Sequence, residues 1–276
     1  MKISLIVNED KKNAVQIAQD AIKILNEHNA EIYIDEDLKS QYNNAKRAKN
    51  SELYDLGEVI IVIGGDGTII HSAKKAALLG KAVLGINAGR VGYLAGLEPD
   101  ELKKLDLILK GNYPIEKRML LQVSLNGENV HYCLNDAVIS KGNISRMIDI
   151  NVRLANENFS YRSDGLIAAT PTGSTAYSLS AGGPVIEPCL ESIMLTPICP
   201  QSLFARCVIV NSDSEVTVSA NAPSGTDIFL TVDGEQSFCV KNNEEISIKK
   251  ADGLYVRLIN LGGKSFISAF SNKLNF

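Results

Sequence analysis

The 276-residue sequence has no CxxC pair and only three histidines, His28, His71 and His131. The missing thiol pairs exclude a zinc knuckle, and so few imidazoles argue against a histidine-rich metal site. The five cysteines, Cys133, Cys189, Cys199, Cys207 and Cys239, lie mostly in apolar runs. They are expected to be buried free thiols, not a disulfide framework. No apolar stretch reaches the roughly 18 residues that a membrane-spanning helix needs. The first residues, MKISLIVNEDKK, are apolar over too short a run for a signal peptide and read as a first strand. The expected compartment is the cytoplasm. A net charge of −4 argues against a general nucleic-acid binder. It leaves room for a nucleotide, because backbone N–H groups and a divalent cation can manage phosphate charge locally.

What is present begins with alternation. KISLIVN is a strand, and Ala14, Ile17, Ala18, Ala21, Leu25 and His28 recur at helical spacing, predicting a helix over Lys11–His28. EIYI is a second strand. The polar segment Asp35–Asn50 reads as a solvated loop, with a mobile lid as the sharper alternative. Val59–Ile63 is β-branched at every position, which suits a strand covered on both faces. A helix over Thr68–Leu79 and a buried strand AVLGIN follow. EPDELKKLDLILKG predicts a further helix, with Pro99 in its first turn, Asp100 and Glu101 at its positive end and Gly111 as its stop. Strands alternating with helices predict a Rossmann-like parallel sheet with a ligand crevice at the strands' carboxyl ends. From about Pro114 the texture turns to β. LLQVSLNGENVHYCL and INVRLANENFSYRS read as hairpins, and CVIVN, EVTVSA, IFLTVDG, EISIKK and LYVRLIN as more strands. The expectation is an α/β domain over 1–115 and a β-rich, sandwich-like domain over 116–260, with the tail 261–276 packing back on the first.

Three stretches stand out chemically. Gly64-Gly65-Asp66-Gly67-Thr68 follows a buried strand and precedes a helix, where backbone N–H groups can face a phosphate. It is not GxGxxG, and no GxxxxGK[ST] occurs in the chain, so neither the Rossmann fingerprint nor the Walker loop applies. Taken alone, Asp66 or Thr68 is equally well a helix cap beside a turn. Asp164–Tyr177 joins a strand to a run of hydroxyls, Thr170, Thr172, Ser174, Thr175 and Tyr177, with Ser178 and Ser180 beyond. Such hydroxyls can bind phosphate or ribose without adding charge, or simply cap a helix start. Asn135-Asp136 follows an apolar run; Asn can bond an adenine edge and the acid can accept from ribose hydroxyls, although such a pair is also ordinary turn chemistry.

Together these stretches resemble the ATP- or polyphosphate-dependent NAD kinase family. The resemblance rests on GGDGT (Gly64–Thr68), NAGRVGYL (Asn87–Leu94), ND (Asn135–Asp136), SDGLIAATPTGSTAYSLSAGG (Ser163–Gly183), TPICPQSL (Thr196–Leu203) and TVDGEQ (Thr231–Gln236). GGDGT alone is shared with diacylglycerol-type lipid kinases and loosely with phosphofructokinases; the long DG…TPTGSTAY block is far more specific. The resemblance implies phosphoryl transfer from ATP or polyphosphate, with a divalent metal such as Mg2+, to the 2′-hydroxyl of the adenosine ribose of NAD. That metal would not be held by a protein-only site. Asp66 matches the family's general base, and Gly64, Gly65, Gly67 and Thr68 its phosphate loop. Asn135 matches the adenine contact, Asp136 the ribose-holding acid and Asp164 an adenosine-side acid. Thr172, Thr175, Ala176, Tyr177 and Ser180 match the pocket wall, and Gln236 a later dinucleotide contact. His71, Arg146 and Arg162 fall where the family often has polar or basic contacts. The family's usual Asn-Glu pair is Asn135-Asp136 here, and its frequent His after PICP is Gln201. The resemblance further implies a homodimer or homotetramer, with no nucleic-acid or membrane partner. A lipid kinase and a non-catalytic dinucleotide sensor are the alternatives.

Overall fold

The computed structural model describes residues 1–89, 92–143, 146–155, 157–263 and 265–274. Arg90 and Val91 of the NAGRVGYL stretch, and Lys264, Asn275 and Phe276 of the tail, lie outside the described residues. The chain divides into two units, Met1–Lys117 with Tyr255–Phe276, and Arg118–Leu254.

In the first unit, β1 (Lys2–Val7), α1 (Ala14–Glu27), β2 (Glu31–Asp35), β3 (Lys46–Ala48), α2 (Asn50–Leu56), β4 (Val59–Gly64), α3 (Asp66–Leu78) and β5 (Ala82–Asn87) follow one another. The strands are all parallel, in the order β3-β2-β1-β4-β5. The chain therefore runs outward from β1 on one side and returns to its other side with β4. That reversal makes the β1/β4 boundary the switch point where such sheets leave a crevice at the strands' carboxyl ends. β4 and β5 are buried at every residue because both faces are covered. Ile3, Leu5, Ile61, Ile63, Leu84 and Ile86 share a cluster with Ile17, Ala18, Ala21 and Leu25 of α1. On β5, a Cβ at Gly85 would come 2.6 Å from Ile69 Cδ1, so only glycine lets α3 lie that close.

Two expectations for this unit need correction. The segment 98–111 is not one α-helix; it is a 3-10 helix over Pro99–Leu105 followed by the single turn α4 (Asp106–Leu109). Leu102, Leu105 and Ile108, all buried, recur at a spacing of three, which the three-residue turn keeps on one face. Nor is Asp35–Asn50 an unstructured solvated loop. It contains β3, and Arg47 donates to the carbonyls of Glu36, Leu38 and Ser40 at 2.9 Å each.

The second unit holds β6 (Ile115–Leu125), which starts just before the boundary, then β7 (Glu128–Cys133), β8 (Asp136–Lys141), β9 (Ile148–Leu154), β10 (Glu157–Ser163) and β11 (Gly165–Ala169). The single turn α5 (Tyr177–Ser180), β12 (Ser192–Ile198), β13 (Val208–Asn211), β14 (Val216–Asn221), β15 (Ile228–Val232) and β16 (Gln236–Val240) follow. β17 (Ile246–Ile259) begins in this unit, and its last residues pair with β5 in the first; α6 (Phe266–Leu274) ends the described chain. One antiparallel set is β10-β9-β14 with the start of β17; the other runs β13-β12-β11-β8-β15-β16. β9 and β14 alternate buried and solvent-facing residues, as a sheet with one wet face should. The Asn-Gly hairpin forms between β6 and β7, with Asn126 at φ 49° and Gly127 at φ 79°.

All five cysteines are free, but only Cys133 is fully buried; Cys189, Cys199 and Cys239 are exposed, which corrects the expectation of a buried set.

Candidate functional site

In the first unit the glycine frame stands where β4 meets α3, at the switch point. A Cβ at Gly64 would lie 2.8 Å from both Cβ and Oγ1 of Thr68, so the glycine lets that side chain fold back over the strand end. Thr68 Oγ1 accepts a hydrogen bond of 2.9 Å from Asn8 Nδ2, at the end of β1. Gly65 lies beside the side chain of Lys11, whose Cε would be 3.8 Å from a Cβ placed there. Asp66 is the first residue of α3, at the positive end of the helix. Its Oδ2 accepts from Tyr93 N–H at 3.0 Å and its Oδ1 from Leu94 N–H at 3.2 Å. A Cβ on Gly92 would overlap Asp66 Oδ1. Burial, and then the charge of Asp66, push the Tyr93 hydroxyl above its ordinary pKa. Gly67 and His71 are exposed on α3. Asn87, at the end of β5, accepts from Gly89 N–H at 3.0 Å and donates to Glu98 at 3.1 Å.

In the second unit Asn135 and Asp136 sit at the start of β8, beside the ends of β11 and β15. Asn135 is half-buried and Asp136 is only 5% exposed. Burial first, and the Asp233 carboxylate second, push Asp136 up to about 7. Asp233 is a residue that the sequence reading missed. It lies in the TVDGEQ stretch, and its signal there was the Asp-Gly pair between alternating segments. Asp233 and Gly234 both adopt positive φ, 48° and 68°, and the hairpin of β15 and β16 turns on them.

The hydroxyl run divides in two. Thr170, Ser174 and Ser178 are fully buried. Ser174 Oγ exchanges hydrogen bonds with the backbone of Ile186, and Ser178 Oγ with Thr196 Oγ1 at 2.8 Å. Thr172 is 8% exposed. Thr175 and Ala176 are half-buried, and Tyr177 and Ser180 face solvent. Gln236 is exposed at the same sheet end as Asn135.

Asp164 is not brought to Asn135 within this unit. It precedes β11, whereas Asn135 neighbours the far end of that strand; six residues at about 3.4 Å each put them roughly 20 Å apart along the sheet. Asp164 pairs instead with Lys141 at 2.9 Å. Arg162 approaches Asp149 at 3.8 Å and, like Arg146, is exposed. Among the described residues no three His, Cys, Asp or Glu side chains converge as a metal cluster.

The family profile for the ATP-NAD kinase N-terminal domain matches residues 3–113, and that for the ATP-NAD kinase C-terminal domain matches residues 134–261. The chain belongs to the NAD kinase family. The NAD kinase of Caldanaerobacter subterraneus subsp. tengcongensis is 36% identical over 99% of this chain and 98% of its own length. That of Thermoanaerobacter sp. X514 is 37% identical over the same shares. Among solved structures, an NAD kinase from Archaeoglobus fulgidus in complex with ATP aligns with a TM-score of 0.79 at 26% identity, covering 100% of both chains. Yeast NADH kinase complexed with NADH aligns with a TM-score of 0.86 at 23% identity, over 100% of this chain and 88% of its own, a likeness in fold alone. As an NAD kinase family member the chain is an enzyme with kinase activity. Its α/β unit with a parallel sheet and its antiparallel β unit agree with the fold that the sequence predicts.

Proposed function

We propose that this chain transfers the terminal phosphoryl group of ATP to the 2′-hydroxyl of the adenosine ribose of NAD, yielding NADP and ADP, with Asp66 as general base. The observation that carries the assignment of Asp66 is its carboxylate, fixed by two backbone N–H groups on a glycine frame at the sheet's switch point. Phosphoryl transfer passes through a loose transition state, so positioning and charge neutralisation do most of the work. The nucleophile is the substrate's own hydroxyl. Its oxygen bonds to the terminal phosphorus, the bridging P–O bond breaks, and the hydroxyl proton passes to Asp66.

Gly64, Gly65, Gly67 and Thr68 serve as the phosphate loop, where backbone N–H groups at the start of α3 meet negative charge. Asn135 takes the adenine edge and Asp136 the ribose hydroxyls. Thr172, Thr175, Ala176, Tyr177, Ser180 and Gln236 line the dinucleotide pocket. His71, Arg146, Arg162 and Asp164 make further polar contacts. A divalent cation, Mg2+, would neutralise the triphosphate, carried to the site by the nucleotide. The family resemblance also supports a cytoplasmic homodimer or homotetramer. The side chains of Leu203 and Phe204, 85% and 92% exposed, suit a surface covered by another copy. No observation favours a lipid kinase or a sensor.

The test uses purified protein with NAD, ATP and magnesium, and reads NADP with an NADP-specific dehydrogenase. Wild type forms NADP, and Asp66→Asn loses about 10²–10⁴-fold in kcat while NAD binding by calorimetry stays within about threefold. Near-normal turnover in Asp66→Asn removes the base assignment, and absent NADP formation by wild type removes the reaction.

A further inference from the structure

We propose that Asp233 and Thr170 are positioning residues that hold the Asn135–Asp136 backbone from its two sides, presenting Asn135 and Asp136 to NAD already ordered. This rests on the reading that those two residues bind the dinucleotide.

The six backbone polar groups of Leu134, Asn135 and Asp136 account for themselves completely. Asp233 Oδ1 accepts from Asn135 N–H at 2.8 Å and from Asp136 N–H at 3.1 Å, and Asp233 Oδ2 accepts from Leu134 N–H at 2.9 Å. Three consecutive N–H groups turned to one point form a nest, the kind of concavity that ordinarily takes an anion. Here the chain supplies the anion from 97 residues further on. Asp233 N–H closes that side by donating to the Asp136 carbonyl at 2.9 Å.

The carbonyl side belongs to Thr170. Its hydroxyl donates to the Leu134 carbonyl at 2.6 Å, and its N–H donates to the Asn135 carbonyl at 2.8 Å. The same hydroxyl accepts from Gly173 N–H at 3.1 Å. Gly173 presses so close that a Cβ there would overlap the Asn135 carbonyl. Thr170 is fully buried, so it acts on a ligand only through the backbone that it holds.

The consequence is functional. With its backbone groups fully engaged, the turn meets a ligand with its side chains alone and loses no backbone freedom on binding. The clamp also explains why the ND, TPTG and TVDG stretches occur together in one chain: each contributes one face of a single turn.

The test is Asp233→Asn, which asparagine's tolerance of positive φ makes compatible with the backbone at 48°. Its amide keeps one acceptor and turns an NH2 group toward an N–H. The expected result is an NAD KM raised about tenfold, the equivalent of one charge-assisted hydrogen bond, with kcat and ATP KM within about twofold. Amide hydrogen exchange at 134–136 should accelerate by about tenfold. Thr170→Val, which removes the hydroxyl from the other side, gives the same KM-against-kcat split should the first variant fail to fold. An NAD KM unchanged in both variants, or a fall in kcat that matches the rise in KM, overturns the proposal. A wild type that forms no NADP defeats the functional reading instead. The exchange rates then decide the clamp, and unaltered exchange at 134–136 overturns it.

Discussion

Asn8 Nδ2 donates a 2.9 Å hydrogen bond to Thr68 Oγ1, tying the end of β1 to the first turn of α3 across 60 residues of chain. The bond spans the switch point of the parallel sheet and fixes the glycine frame against its neighbouring strand. Thr68→Val keeps the branched shape and removes the acceptor. Stability should fall by about 1 kcal/mol, and the melting temperature by about 2–4 °C. A melting temperature identical to wild type would show that the bond contributes nothing.

Gly92 is the second constraint on the frame. In Gly92→Ala the new methyl group occupies the space of Asp66 Oδ1, so the carboxylate must leave the N–H groups of Tyr93 and Leu94. Misplacing a reacting group by about 1 Å can cost on the order of 10²-fold. Turnover should drop by about that factor while calorimetric NAD binding persists; an alanine variant with wild-type kcat contradicts the geometry.

Asp136 makes stability depend on pH. Its ordinary value of 3.8 rises to about 7, through burial and then through Asp233, so the folded protein binds this proton more tightly than the unfolded chain does. The contribution is whole below about pH 4, is lost as pH rises toward 7, and is constant above. The slope approaches at most about 1.4 kcal/mol per pH unit inside that window. Asp136→Asn should flatten it. Urea midpoints of both proteins between pH 4.5 and 8 measure the difference, and parallel curves would place the proton elsewhere.

The segment 35–48 is held by two charges. Glu9 accepts from the N–H groups of Lys39 and Ser40 and from the Tyr42 hydroxyl. Burial alone would raise its carboxyl, but the Lys39 N–H and the hydroxyls of Ser40 and Tyr42 outweigh it and hold the value at about 2. That stabilisation is present above about pH 4.5 and lost as pH falls toward 2. Arg47 holds the carbonyls on the other side. Arg47→Ala should open the segment to chymotrypsin at Tyr42, which is 6% exposed in the intact protein. Equal cleavage of wild type and variant would remove the clamp.

The contrast between Asp66 and Asp136 shows what a sequence can and cannot disclose. The unbroken β-branched run ahead of Gly64 announces a strand buried on both faces, because only a doubly covered strand has no use for polar residues. The glycines around Asp66 announce a tight turn between that strand and the next helix, and by themselves leave a cap and a phosphate cradle equally open. Period and turn chemistry are local, and so the alternation of strand and helix, the Asn126-Gly127 hairpin and the shift to β texture were legible. The hydroxyl run after Ala169 left its roles open for the complementary reason: every hydroxyl looks alike in sequence, and only packing assigned Thr170, Ser174 and Ser178 to internal bonds while Tyr177 and Ser180 kept the surface. Likewise the polar composition of 35–50 gave no sign of Arg47, whose partners are backbone carbonyls that every residue carries.

By itself the sequence determined the alternation of β1, α1 and β2 and of β4, α3 and β5, the glycine frame with its lone carboxylate, and the family to which these motifs belong, because each is written in residues close together along the chain. Tertiary structure alone decided which groups meet: Asn8 with Thr68, Tyr93 and Leu94 with Asp66, Asp233 and Thr170 with the Asn135 turn. The physical reason is that hydrogen bonds between distant segments depend on register and on the crossing of strands, which no local pattern of residues encodes.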